Sequence, residues 1–340
     1  MVRDLRFDDR VVVVTGAGGG IGRAMALEFA RRGARVVVND LGGPPTGGDT
    51  PRAELAAGVV REIRDAGGEA VASTHTVATP EGGEAIVGTA LDTWGRVDAL
   101  IANAAILHDS LFTRMRPDDF DEVVAVNLRG AFCVMQPAFR AMAEQGEGNI
   151  VAVTSAAGLC GSYGGANYSA AKAGLVGLTK AIAWEGQKYG IKANLLAPGA
   201  LDTRQSEAFN ATGALLPGRP APEVVAGEEM KLLTAERVAP MAVVLAHPSC
   251  PVTAETYGAV GGWFHRYWTA HSEGWAGAIE PTAEDVARNW EAVRGKPPEG
   301  HEITQETFLF ALRANQRGLA PLLDRQLHDR PKDGTWTSIS

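Results

Sequence analysis

Apolar residues along this chain fall into short unbroken runs separated by longer amphipathic stretches, and that alternation sets the first expectation. Arg10–Thr15 (RVVVVT), Arg35–Asn39 and Val97–Ala102 are too short and too continuously apolar for amphipathic helices. They fit strands buried on both faces of a parallel sheet. Glu69–Thr74, Asn149–Thr154, Ile191–Leu196 and Ala254–Val260 add four more candidates. Helical spacing is expected between them, after Gly22, over Arg52–Ala66, Pro80–Trp94, Pro117–Glu144, Ala166–Tyr189 and Ala235–Ala246. Strands alternating with helices predict an α/β fold, a Rossmann-type doubly wound parallel sheet of about seven strands with helices on both faces. Ala197-Pro198-Gly199 is expected to stop the sixth strand. From Ala200 to Pro240 the pattern loosens, as in a flap on the substrate side or a stretch of irregular surface.

Past Gly262 the pattern changes. Trp263, Phe264, Tyr267, Trp268 and Trp275 crowd into thirteen residues. Thr282 can cap a helix that aligns Val286, Trp290 and Val293, and Gln305–Gln316 reads as another. The expectation is a dinucleotide-binding domain over 8–262 and an aromatic C-terminal extension over 263–340. The extension is too small for its own core, so it packs on that domain or on a second subunit.

Composition narrows the class. The chain has 340 residues, 45% of them hydrophobic, and a net charge of −8, without a Lys/Arg block. That argues against nucleic acid or an anionic membrane as partner. The three cysteines are scattered without a Cys-x-x-Cys, as in a reduced cytoplasmic protein. The seven histidines show no metal-ligand spacing, and no metal is expected. Asn167-Tyr-Ser matches a glycosylation sequon by chance.

Chemistry enters at two places. Thr15–Gly22 (TGAGGGIG) lies between the first strand and the first helix, where glycines let backbone approach a pyrophosphate at a helix N-terminus. Asp40 ends the second strand, eighteen residues after Gly22, where a carboxylate can accept the ribose hydroxyls of NAD and repel a 2′-phosphate. The other place is Val151–Leu175. Tyr168 and Lys172, four apart, share a helix face, and Ser155 ends the strand thirteen positions before Tyr168. A phenol of reference pKa about 10 beside an ammonium can act as acid/base while a hydroxyl steadies the reacting oxygen. Of the five tyrosines, only Tyr168 has a lysine four residues on.

These pieces resemble the short-chain dehydrogenase/reductase family over roughly residues 8–262. The resemblance rests on Thr15-Gly16-x-x-x-Gly20-Ile21-Gly22, Asp40, Asn103-Ala104, Asn127, Ser155, Tyr168-x-x-x-Lys172 and Pro198-Gly199. It implies that Tyr168 is the acid/base and that Lys172 binds nicotinamide ribose and depresses the tyrosine pKa. Ser155 would position the reacting oxygen, and Asn127 would hold a water of the proton relay. It implies NAD as cofactor, bound by Gly16, Gly19, Gly20, Ile21, Gly22, Asp40, Thr76, Val77, Asn103, Ala104, Pro198 and Gly199 together with Tyr168 and Lys172. Two departures stand out: Ala105 replaces a usual glycine, and Thr76-Val77 replaces the usual Asp-Val at the adenine.

Val36–Gly43, the ANYSAA run at Ala166–Ala171 and the tail from Gly261 to Trp290 look like the (3R)-hydroxyacyl-CoA dehydrogenase unit of peroxisomal multifunctional enzymes and its bacterial single-domain relatives. The resemblance implies a homodimer or homotetramer acting on a 3-hydroxyacyl-CoA, with a bulky or steroid-derived acyl chain among the candidates. Arg204, Arg219 and Lys231 would supply a basic mouth for CoA. A free hydroxysteroid or small ketone is the alternative substrate. A nucleotide-binding sensor without turnover is the alternative from another class.

Overall fold

The computed structural model describes residues 4–44, 46, 52–200, 233–269, 271–276 and 282–295. Arg204, Arg219 and Lys231, most of the expected flap and the expected helix at Gln305–Gln316 lie outside the described residues.

Among the described residues eight strands form one sheet: β1 Val11–Thr15, β2 Arg35–Asn39, β3 Glu69–Ser73, β4 Ala99–Ala102, β5 Gly148–Val153, β6 Ile191–Gly199, β7 Thr256–Val260 and β8 Trp263–Tyr267. Their spatial order is β3-β2-β1-β4-β5-β6-β7-β8. All neighbours are parallel except β7 and β8, which pair antiparallel. In β1 and β2, Val12, Val14, Val36 and Val38 enter the core on one face, and Val11, Val13 and Val37 the core on the other. The unbroken valine runs follow from burial on both sides.

The helices are α1 Gly20–Arg31, α2 Ala53–Asp65, α3 Pro80–Trp94, α4 Pro117–Val124, α5 Gly130–Gln145, α6 Ala156–Cys160, α7 Ala166–Gly186, α8 Ala239–Ala246, α9 Ala283–Arg288 and α10 Trp290–Arg294. The single helix expected over Pro117–Glu144 is interrupted by a π-turn at Ala125–Arg129. Such a turn inserts a residue into the helical ladder, and here it carries the buried Asn127.

The sequence expectation of about seven strands omitted β8. Gly261 and Gly262, with φ of +59° and +95°, make a two-residue turn that only glycine adopts readily. That turn folds Trp263–Tyr267 back onto β7, so the aromatic segment begins as the edge strand of the sheet itself. His265 lies over Gly258, with its ring stacked 3.8 Å from that of Trp263.

Pro198 does not end β6, contrary to the sequence expectation. Leu195 donates its N–H to Glu255 on the β7 side. By strand alternation the nitrogen of Pro198 faces the β5 side, where pairing has already ended at Leu196. The missing donor therefore costs nothing, and pairing with β7 runs on to Gly199.

A charge cluster closes the opposite, N-terminal edge of the sheet. Asp98, only 4% exposed, accepts the Val11 N–H at 2.8 Å, Arg10 Nη1 at 2.7 Å and Arg96 Nη2 at 2.6 Å. Burial pushes its carboxyl up, but the Arg96 guanidinium, the Val11 N–H and Arg10 together hold it below the usual range. A depressed carboxylate adds stability above its unfolded pKa of about 3.9 and loses it as pH falls through the folded value. Asp98→Asn is expected to cost about 1.5–3 kcal/mol near neutrality. Urea unfolding of both proteins between pH 7 and 2 should show the gap closing below about pH 4.

Candidate active site

Chain order reverses between β1 and β4: from β1 the chain builds outward to β3, then returns to place β4 on the other side. Open α/β sheets bind ligands at the carboxyl ends of strands at such a point. One cleft occupies it, lined by Gly16, Gly19–Gly22, Asp40, Thr76, Val77, Asn103–Ile106, Tyr168, Lys172 and Pro198. The residues expected at the two ends of the site thus meet in one cavity. Asn127, Ser155 and Gly199 are not part of its wall.

The β1–α1 turn is built for close approach. Gly16 (φ +63°) and Gly20 (φ +50°) take left-handed conformations. A Cβ at Gly22 would lie 2.1 Å from the Gly16 carbonyl oxygen and 2.6 Å from Asn103 Nδ2. Gly19, the N-cap of α1, has no side chain to cap the helix, and no acidic residue stands in the first turn. The donors of that turn are left to an anion. Asn103 clamps the turn by donating Nδ2 to the carbonyls of Thr15 (2.9 Å) and Gly16 (3.2 Å). The N–H groups of Asn103 and Ala104 both donate to Thr15 Oγ1.

Asp40 is half capping group and half site. Its Oδ2 accepts the Gly18 N–H at 2.8 Å and its Oδ1 the Gly42 N–H at 2.7 Å. Each oxygen retains lone-pair capacity for a hydroxyl donor. Thr76 and Val77 lie past the end of β3, with Thr76 Oγ1 accepting the Ala78 N–H at 3.1 Å. These features together fit a dinucleotide: a Cβ-free turn, an uncapped helix N-terminus and a carboxylate at the end of β2.

At the far end, Ser155 ends the strand segment and N-caps α6, where its Oγ accepts the Ala157 N–H. Its side chain also hydrogen-bonds the Tyr168 hydroxyl. Lys172, 2% exposed, donates Nζ to the Val153 carbonyl at 2.7 Å, and that nitrogen lies 5.6 Å from the centroid of the Tyr168 ring. Thr154 Oγ1 donates to the Lys172 carbonyl at 2.8 Å, fixing α7 against β5.

The resemblance implies that Lys172 depresses the Tyr168 pKa, and burial acts on the phenol in the opposite direction. Burial pushes the phenol up to about 12; the Ser155 hydrogen bond works against the rise, and the charge of Asp109 adds to it. Burial also pushes the Lys172 ammonium down to about 7, so much of its charge is lost near neutrality. Burial thus disfavours the charged form of both groups.

Asn127 is 1% exposed, and its amide grips one residue: Oδ1 accepts the Ile106 N–H at 2.8 Å and Nδ2 donates to the Ile106 carbonyl at 2.9 Å. Sequence reasoning passed over Thr15, Asn39, Thr154 and Asn167 as positioning groups. The first three share a signal, since each is the polar residue that closes an apolar strand run on the ligand side.

Residues 10–213 match the family model for short chain dehydrogenase. The chain belongs to the short-chain dehydrogenase/reductase family. Family members are oxidoreductases that generally bind NAD(P). A short-chain type dehydrogenase/reductase of Mycobacterium tuberculosis is 44% identical over 282 residues, covering 83% of this chain and 93% of that protein. The mouse peroxisomal multifunctional enzyme type 2 is 40% identical over 344 residues, covering 97% of this chain but 43% of the enzyme. This chain thus spans less than half of that relative. Among solved structures, a short chain dehydrogenase from Mycobacterium avium aligns with TM-score 0.71 and 34% identity, covering 86% of this chain and 98% of that one. Among the described residues no helix is long and apolar enough to cross a membrane, and no His/Cys/Asp/Glu group is placed to hold a metal.

Proposed function

We propose that this short-chain dehydrogenase/reductase interconverts a 3-hydroxyacyl-CoA and its 3-ketoacyl-CoA with NAD(H). The observation that carries the reading is the buried Lys172 beside Tyr168 at the end of a cleft that starts at the glycine turn, with Ser155 hydrogen-bonded to the Tyr168 hydroxyl. The acyl class is supported by the resemblance in ANYSAA and the aromatic tail. It is also supported by a relative 40% identical over 222 residues, the 3-oxoacyl-[acyl-carrier-protein] reductase of a Synechocystis strain.

A nicotinamide bound in the cleft supplies or accepts hydride. Gly16, Gly19, Gly20, Ile21 and Gly22 would hold its pyrophosphate, and Asp40 the adenine ribose. Thr76 and Val77 would flank the adenine, Asn103, Ala104 and Lys172 the nicotinamide ribose, and Pro198 and Gly199 the carboxamide side. In the reducing direction the Tyr168 phenol, protonated at neutral pH, gives its proton to the carbonyl oxygen as that oxygen gains negative charge. The Ser155 hydroxyl donates a hydrogen bond to the same oxygen. Lys172 and a water held at Asn127 would return a proton to the phenol.

The same reading assigns residues 8–262 to the catalytic domain and gives 263–340 the role of covering the substrate mouth. It takes the protein as a cytoplasmic homodimer or homotetramer, the exposed Phe132 and Trp184 being candidate contacts.

NAD over NADP rests on two observations. The Asp40 carboxylate would repel a 2′-phosphate, and Arg23, the cation of the first turn of α1, is held by Glu62 of α2 at 2.6–3.2 Å. Asp40→Ala is expected to narrow the NADH/NADPH ratio of kcat/KM by at least about tenfold, since a like-charge contact costs several kcal/mol. An unchanged ratio would place discrimination elsewhere.

A panel of 3-ketoacyl-CoAs, ketosteroids and simple ketones followed at 340 nm tests the substrate class. The acyl-CoAs are expected to lead in kcat/KM by at least about tenfold. A ketosteroid in the lead would overturn the acyl assignment. NADH binding without turnover of any member would favour the sensor.

A further inference from the structure

Asn167 sits in the first turn of α7, beside the tyrosine, and is 0% exposed. Helix starts leave several N–H groups without intrahelical partners, and Gly165 supplies no side chain to cap this one. Asn167 answers with its own amide: Oδ1 accepts the Tyr168 N–H at 2.8 Å. Its Nδ2 donates outward, to the His108 carbonyl at 2.9 Å and the Asp119 carbonyl of α4 at 3.3 Å. One side chain therefore joins three elements: the loop after β4, helix α4 and the helix of the tyrosine.

That loop forms part of the cleft wall. Ile106 lines the cleft and is gripped by Asn127, two residues before the carbonyl that Asn167 holds. Farther on, Ser110 donates its N–H to Gly164 at 2.8 Å and forms a parallel bridge with Gly165. The loop is thus tied at three successive points, and only the Asn167 tie ends on the backbone of Tyr168.

We propose that Asn167 is a positioning residue for Tyr168, holding its backbone in register with the Ile106–Ser110 wall so that phenol and substrate meet at the reacting distance. The inference rests on Tyr168 being the acid/base of the proposed reaction. A plain buried amide would stabilise the fold without this coupling, and the test separates the two.

Asn167→Ala removes every bond of the amide. It is expected to lower kcat with a 3-ketoacyl-CoA by about 10²-fold, the cost of a misplacement of about 1 Å. The Kd for NADH should stay unchanged, because the glycine turn and Asp40 lie elsewhere. Asn167→Asp keeps the acceptor for the Tyr168 N–H but sets a carboxylate against two carbonyl oxygens, which favours its protonated form. Once protonated, its O–H donates to His108 again. The kcat of Asn167→Asp relative to wild type is therefore expected to climb as pH falls from 8 to 5, while the ratio for Asn167→Ala stays flat. His108 and Asp109 of the loop, Asp119 and Glu122 of α4, and Lys172 of α7 are common to all three proteins and drop out of these ratios.

Hydrogen exchange supplies a readout free of turnover. In Asn167→Ala, peptides covering 106–112 and 165–171 are expected to exchange at least about tenfold faster, with the sheet unchanged. Both variants within about threefold of wild-type kcat, or a loss that follows only the folded fraction by circular dichroism and is flat with pH in Asn167→Asp, would overturn the inference. If Asn167→Ala does not fold, the near-isosteric Asn167→Asp carries the test through its pH ratio. If wild type turns over no acyl-CoA, steroid or ketone, the enzyme reading fails instead. The exchange experiment then decides the coupling alone: faster exchange confined to those peptides supports it, and unchanged exchange overturns it.

Discussion

Tyr168→Phe is expected to lower kcat for ketone reduction by about 10²–10⁴-fold, the range for loss of a positioned acid. The substitution removes one hydroxyl from a half-buried ring, so the helix, the Lys172–Val153 bond and the glycine turn remain. NADH affinity, read by fluorescence quenching, should stay within about threefold of wild type, which makes the loss one of turnover. The two directions should also differ in pH dependence. With the phenol pushed up to about 12, its protonated form dominates at neutral pH and is ready to donate to a carbonyl. Alcohol oxidation needs the deprotonated form, so its kcat is expected to rise with pH well into the alkaline range, while reduction does not. Near-wild-type turnover in Tyr168→Phe would remove the tyrosine from the mechanism. Equal pH profiles in the two directions would show that a group other than the phenol moves the proton.

Much of this arrangement is legible before the fold. Valine runs such as Val11–Val14 satisfy burial on both faces inside a parallel sheet, so the sheet type and its ligand edge follow from periodicity and chain direction, while the order of the strands does not. Tyr168, Lys172 and Ser155 are visible because their spacing along a strand and a helix is local. What is not legible depends on contacts distant in sequence. Asn127 reads as an awkward helical residue until the π-turn brings it to Ile106, twenty-one positions earlier. Asn167 looks like a sequon by chance, because its partners His108 and Asp119 lie fifty-nine and forty-eight positions away. The direction of the Tyr168 shift escapes the sequence for a related reason. Spacing shows that a lysine is near, but not that burial suppresses the lysine's own charge. The edge strand Trp263–Tyr267 is a different failure: Gly261-Gly262 between Val260 and Trp263 is a hairpin signal, and aromatic density draws attention away from it.

Gly22→Ala should be as damaging to cofactor binding as Tyr168→Phe is to turnover. Most glycine-to-alanine changes in helices stabilise, by roughly 0.5–1 kcal/mol, because alanine has less backbone freedom to lose. At Gly88 in α3 an added methyl would meet nothing within 4 Å, so Gly88→Ala is expected to raise the urea midpoint. Gly22 is the opposite case. Its Cβ would stand 2.1 Å from the carbonyl oxygen of Gly16, a backbone atom with no rotamer to escape into, and 2.6 Å from the Asn103 amide. Relief requires moving the turn, and the turn is held by the same Asn103 through Thr15 and Gly16. Overpacking of this kind costs roughly 1–3 kcal/mol in stability. The heavier loss falls on the ligand, since any shift of Gly16 moves the N–H groups meant for the pyrophosphate. The Kd for NADH is expected to rise by at least about 10²-fold, corresponding to about 2.7 kcal/mol, in a protein that is still folded by circular dichroism. Titration calorimetry of Gly22→Ala beside Gly88→Ala checks it: unchanged NADH affinity in the folded Gly22 variant would mean that the dinucleotide does not rest on this turn.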